Sequence, residues 1–310
     1  MSIERSPPPL APPFELDRRA LVRSFSRAAP HYEAAAGLQR RVRSELLERL
    51  QYFKLEPQRV LDLGAGAGPA AQLLQQRFKH AQVLALDIAE GMLRAVPGTL
   101  WPWRWSRWRR PRFVRICGDA AALPLAAHSI DLIYSNLMLQ WCDRPDAVFR
   151  ELARVLRPGG VLLFSTFGPD TLGELRSAWA QADDHSHVSL FADIQQLADG
   201  LMRAGFAEPV TDLEHYKLHY PDAHALMREL KQLGARNATR TRNRGLTGRA
   251  RMQHMLKAYE RARTPAGLPA TFEVIFGAAF GGAAVPATEA GGGVPGEFAV
   301  PVGAIRSARR

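Results

Sequence analysis

Cysteine is nearly absent from this chain: Cys117 and Cys142 are the only two in 310 residues. They are too few for a disulfide framework and show no metal-ligand spacing, which leaves them as core thiols and argues against a stapled secreted module or a zinc module. No apolar run approaches the ~18 residues that a membrane span needs. The opening stretch MSIERSPPPLAPPFELDRR lacks an apolar core and does not read as a secretion signal. A cytoplasmic protein without a membrane span is the simplest expectation. Acid is also in short supply, with 30 Asp and Glu against 41 Lys and Arg, a formal net charge of +11. Such an excess calls for an acidic partner and leaves nucleic acid, an anionic membrane surface and an acidic carrier protein open.

What the chain does have is glycine placed with purpose. In VLDLGAGAG, Val60 to Gly68, an apolar strand delivers Asp62 and then Gly64, Gly66 and Gly68 at alternate positions. The glycines let the backbone turn sharply and approach a ligand closely. A dinucleotide site would show G-x-G-x-x-G with a helix N-terminus on a pyrophosphate. Here the spacing is G-x-G-x-G, and a carboxylate stands two residues before the first glycine. That carboxylate suits an ammonium group, which favours S-adenosylmethionine over NAD. Asp87 ends the next apolar strand, where it meets ribose hydroxyls, and Ile88 follows it. Asp119 in Gly118-Asp119-Ala120 follows a third strand and faces the adenine amine, with the backbone at Ala120 beside the ring. Asn136 to Trp141 (NLMLQW) follows a fourth, which makes Asn136 a cofactor contact and Gln140 and Trp141 candidates for the acceptor channel. No metal is expected.

Around these motifs strands and helices alternate. Strands are expected at Arg59 to Leu63, Ala81 to Asp87, Phe113 to Cys117, Ile130 to Ser135 and Val161 to Thr166, with helices at Ala70 to Phe78 and Pro145 to Leu156. Alternation of this kind predicts a parallel, doubly wound α/β sheet with helices on both faces and ligands at the carboxyl ends of the strands. Arg157-Pro158-Gly159-Gly160 reads as a helix stop and turn. Helices are expected at Ala20 to Leu50, Leu172 to Ala182, Asp193 to Ala204 and Asp222 to Leu233, and a late strand at Thr271 to Phe276. The N-terminal and inserted helices are candidates for a lid. Residues 1–14 read as a disordered proline-rich leader, 15–280 as the folded domain and 281–310 as a disordered tail.

Two basic segments stand apart. Trp101 to Arg112 interleaves four tryptophans with five arginines, and Arg236 to Arg251 holds six arginines without an acid. Either would attract phosphate or carboxylate groups. The segment after the fourth strand lacks the Asn-Pro-Pro-aromatic sequence of amino-directed nucleic-acid methyltransferases, so protein contact ranks above nucleic acid. Ser24 to Tyr32 adds Arg27, His31 and Tyr32 on an otherwise apolar helix that would close over the cofactor.

DLGAGAG, LALD, GDAAALPL and LRPGG resemble the class I S-adenosylmethionine methyltransferases. Within that class SFSRAAPHYEAAAGLQ, NLMLQW, STFGPDTLGELRSAW, HVSLFADIQQLADGLMRAGFAEPV, LKQLGARNATRTRNRGLTGR and LPATFEVIFG resemble the malonyl-acyl-carrier-protein O-methyltransferases of biotin synthesis. Alanine stands at 65 and 67 where that family often has Cys and Thr, and Ala278 and Phe280 replace an expected His and Trp. The resemblance implies a Rossmann-like class I sheet, S-adenosylmethionine as methyl donor, and an acidic acyl carrier protein bearing a malonyl thioester as partner. Its free carboxylate would take the methyl. Arg27 and Arg176 are candidates to position that carboxylate, with Tyr32 and Trp141 closing the site. STFGPDTL and AGF also resemble a respiratory complex I assembly factor associated with hydroxylation of a protein arginine. Other small-acid, quinone or RNA methyltransferases fit the same cofactor motifs.

Overall fold

The computed structural model describes residues 16–96, 113–235, 237–239, 245 and 247–282. The Trp101–Arg112 loop, most arginines of the second basic segment, the expected leader 1–14 and all but the first two residues of the expected tail 281–310 lie outside those residues.

The N-terminal pattern folds as three helices, α1 (Arg18–Ala28), α2 (Tyr32–Ala35) and α3 (Gly37–Arg49), where one was expected. The chain breaks at Pro30, which has no N–H to continue the ladder. There follow β1 (Arg59–Leu63), α4 (Pro69–Arg77), β2 (Gln82–Asp87), α5 (Glu90–Arg94), β3 (Val114–Cys117), β4 (Ile130–Asn136), α6 (Pro145–Val155) and β5 (Leu156–Phe167). The second half holds α7 (Gly173–Ala180), α8 (Ile194–Arg203), β6 (Phe206–Tyr220), α9 (Ala223–Gln232), α10 (Arg249–Glu260) and β7 (Leu268–Gly281).

One seven-stranded sheet runs β3-β2-β1-β4-β5-β7-β6. The first five strands pair in parallel, and β7 lies antiparallel between β5 and β6. The expectation of a wholly parallel sheet is therefore corrected on one side. The missed strand, β6, is an edge strand carrying Pro209 and exposed or half-buried charged residues, so it offers no apolar run to read. A second correction falls on Arg157 to Gly160. The segment is not a turn before the strand but part of β5, which starts at Leu156 and takes up a register shift against Ile130 and Leu132.

Alternate residues of the central strands feed two separate cores, as the period of 2 requires. Val60, Val83, Leu132 and Leu163 pack under α3 and α4. Leu61, Leu84, Ile133 and Leu162 pack with Phe149 and Leu152 of α6 and Leu201 of α8. With both faces covered, the carboxyl edge of β1, β2 and β4 is left as the place for a ligand. Chain order reverses at β1, whose neighbours are β2 and β4, and α1 lies across that edge.

Candidate active site

Each loop leaving β1, β2 and β4 contributes to one cavity. Gly64 adopts φ +74°, and a Cβ there would stand 2.3 Å from Met138 Cγ, so only glycine lets the loop after β1 pass the loop after β4. Gly66, at φ +56°, faces open space. The loop is then held from β2: the Gly66 N–H donates to Asp87 Oδ2 at 2.9 Å, and the Ala89 N–H to Asp87 Oδ1 at 2.7 Å. Burial raises the Asp87 pKa, and the hydrogen bonds from Ala89 and Gly66 oppose that rise.

The cavity, about 110 Å³, is lined by Gly64, Gly66, Asp87, Ile88, Asp119, Ala120 and Asn136, and also by Tyr32 and Trp141. Nine of the residues singled out from sequence thus meet around one space, although they span more than 100 positions of chain. Asp62, Gly68 and Gln140 are not in the lining. Asp62 is buried behind it, Gly68 caps α4 at φ +80°, and Gln140 hydrogen-bonds the Leu137 carbonyl and Thr166. Arg27 and Arg176 are not in the lining either. One Arg176 guanidinium nitrogen donates to the carbonyls of Pro169 and Thr171, bracing the turn after β5.

Asn136 is fixed at the end of β4. Its amide donates to the Gln39 carbonyl at 3.2 Å, and the Ser165 hydroxyl donates to its Oδ1 at 2.9 Å. Leu137 follows at φ +49°, a strained value for a branched side chain, held there by hydrogen bonds from its N–H to the carbonyl and hydroxyl oxygens of Ser165.

Several lining residues were not anticipated, and three of them belong to α1. Arg18 forms an ion pair with Asp119, Leu21 lines the wall, and the Phe25 ring sits 5.2 Å from Trp141 in an edge-on contact. Partial burial works to raise the Asp119 pKa, but the Ala121 N–H and Arg18 hold the carboxyl below its ordinary value. Helical spacing alone could have placed Arg18, Leu21 and Phe25 on one face, but nothing local says what that face covers.

Asp62 Oδ2 is buried and has no hydrogen-bond partner among the described residues, and desolvation pushes its pKa up to about 7 despite the Ala71 N–H. A buried carboxyl without a partner is what a cationic ammonium would satisfy, and Asp87 and Asp119 are acceptors suited to hydroxyl and amine donors. The donor set fits S-adenosylmethionine. Ligand cavities for molecules of drug size run to about 300 Å³ and above, so the 110 Å³ space must widen. One wall of that space is α1, whose Arg18 pairs with Asp119. No metal was expected, yet Asp170, His215 and Glu273 gather one donor atom each within 4.8 Å outside this lining.

The sheet order, the glycine loop after β1 and the acids ending β2 and following β3 define a nucleotide-type methyltransferase domain, and residues 61–164 match the family model described as a methyltransferase domain. A putative methyltransferase from Bacillus halodurans shares the fold, with TM-score 0.54 at 17% identity over 77% of this chain and 100% of that one. Closer relatives span nearly the whole chain. A malonyl-[acyl-carrier protein] O-methyltransferase of Gallionella capsiferriformans is 46% identical over 271 residues, 86% of this chain and 92% of its own length. One from Methylovorus sp. is 48% identical over 268 residues, 86% and 89% of the two chains. The chain belongs to the malonyl-[acyl-carrier protein] O-methyltransferase family.

Proposed function

We propose that this protein methylates the free carboxylate of a malonyl thioester carried by acyl carrier protein, with S-adenosylmethionine as donor, as an early step of biotin synthesis. The observation that carries the reading is the match to these O-methyltransferases at 46% and 48% identity over about nine-tenths of their length.

When bound, the donor supplies an electrophilic sulfonium methyl. A carboxylate acceptor is ionised near pH 7 and needs no general base. The lining agrees with that. Burial first, then the charges of Glu33 and Asp87, drive the Tyr32 hydroxyl far above its ordinary pKa, so it stays protonated and acts as a hydrogen-bond donor. Burial likewise pushes the Cys142 thiol up to about 12 and keeps it from competing as a nucleophile. The contribution of the protein is alignment and exclusion of water, worth about 7–11 kcal/mol in well-oriented reactions. Asp62 and Asp87 orient the donor from below, Asn136 and Leu137 set the acceptor side, and Phe25 against Trp141 closes the roof.

The test is incubation with labelled S-adenosylmethionine and malonyl-acyl carrier protein, malonyl-coenzyme A or free malonate, following base-labile methyl ester by mass spectrometry. Ester on the carrier, preferred over the other two, is expected. No ester on any malonyl substrate by a protein that binds the donor would overturn the reading.

A further inference from the structure

A second cavity, about 620 Å³, opens between α1 and α9. Its charged walls are cationic: Arg23 and Arg27 from α1, one helical turn apart, face Arg228 and Lys231 from α9, three residues apart. No acid is among its lining residues, and none of these four cations has an ion pair or hydrogen bond among the described residues. All four are exposed. The one acid inside α9, Glu229, is engaged elsewhere by the Tyr220 hydroxyl at 3.0 Å. Like charges facing each other across a groove repel, and the low-dielectric walls focus their field on whatever enters.

The groove is built rather than incidental. Gly234, at φ +71° after α9, lets α1 come close enough that a Cβ would stand 3.1 Å from the Ser24 carbonyl. The Ser24 hydroxyl donates back to the Gly234 carbonyl at 3.0 Å. At 100° per residue, Arg18, Leu21 and Phe25 fall on one side of α1, and Arg23 and Arg27 on the opposite side. Leu21 reaches both spaces, so α1 is the partition between the groove and the cofactor cavity. A helix with its side chains is about 10–12 Å across, shorter than an extended phosphopantetheine arm.

Resting on the function proposed above, we infer that this groove docks the acidic face of the acyl carrier protein at the root of its phosphopantetheine arm. Arg23, Arg27, Arg228 and Lys231 receive its carboxylates and phosphodiester, and the arm passes α1 to bring the malonyl group to Trp141.

The experiment measures binding of fluorescent holo-acyl carrier protein, without an acyl group, to the full chain by anisotropy. The variants are Arg228→Glu/Lys231→Glu and a control of equal charge change on another surface, Lys54→Glu/Lys79→Glu. The groove pair is expected to weaken carrier binding by about tenfold or more and the control by less than about twofold, since rim charges act mainly through local complementarity. Thermal melts and S-adenosylmethionine affinity should be unchanged in both, and the KM for malonyl-carrier should rise in the groove pair with kcat kept. Equal loss in the two variants, or none in the groove pair, overturns the docking site, as does absence of carrier binding by the unaltered protein. So does an RNA oligonucleotide that binds the groove in place of the carrier. Carrier binding lost in the groove pair, in a protein that forms no methyl ester, would keep the docking site and remove the methylation reading.

Discussion

Asp62 is the residue whose chemistry is most exposed to test. Its carboxyl titrates near 4 when unfolded and at about 7 when folded, because burial disfavours the charge. Over that interval the native state holds a proton that the unfolded state has lost. Stability is therefore subtracted progressively as pH rises through the interval, and the whole cost stands above it. Asp62→Asn should raise the unfolding free energy from urea titration at about pH 8 by on the order of a few kcal/mol, with the gain vanishing by about pH 4. A gain independent of pH would show that another group titrates. The same variant should bind S-adenosylmethionine about tenfold or more weakly in calorimetry, since an amide cannot neutralise an ammonium. Gly64→Ala tests the loop itself: with φ at +74° and Met138 in the way, a loss of about 1–3 kcal/mol in denaturation and no detectable donor binding are expected. Asp62, Asp87 and the glycines were legible in the sequence because turn conformation and strand-end position are local properties. The unpartnered state of Asp62 was not, because it depends on what β2, β4 and α4 bury around it.

Among the elements, α1 is one whose hold on the site includes an exposed ion pair. Arg18 holds it to Asp119, with side chains 40% and 28% exposed, so the ion pair is worth at most about 1 kcal/mol. Arg18→Ala should accordingly shift global stability little while speeding amide hydrogen exchange across residues 18–28, read by mass spectrometry. Unchanged exchange there would mean that the other contacts of α1, among them Ser24 with Gly234 and Phe25 with Trp141, hold the helix without Arg18. The pairing of β5 with β7 is the opposite case. A Cβ on Gly277 would stand 2.2 Å from Phe164 Cζ, so Gly277→Ala should cost about 1–3 kcal/mol, seen as a lowered melting temperature. The helices α4, α6, α8 and α9 and the first four strands could be placed from periodicity to within a few residues. The strand β6 could not, since an edge strand needs no apolar face to be held by its neighbour. Nor could the entry of Arg157 to Gly160 into β5, where pairing with β4 overrides a local turn signal.

At the scale of the whole molecule, the net charge is +11, and Arg23, Arg27, Arg228 and Lys231 contribute to it around one groove. Methylation of the malonyl carrier should slow as salt rises from about 0.1 to about 1 M, over which screening shortens from about 10 to about 3 Å, through KM rather than kcat. The rate with free malonate, which offers no carrier surface, should change less in the same assay. Among the described residues no helix is long and apolar enough to cross a membrane. The sequence by itself determined the glycine loop after β1, the acids ending β2 and following β3, and the alternation that makes an α/β sheet, because each is written in residues close together in the chain. Only the tertiary structure decided that the Arg18 face of α1 covers Asp119 while the Arg27 face meets α9. It alone also joined Arg23 and Arg27 to Arg228 and Lys231, some 200 positions away, because a side chain's surroundings are set by which distant element packs against its helix.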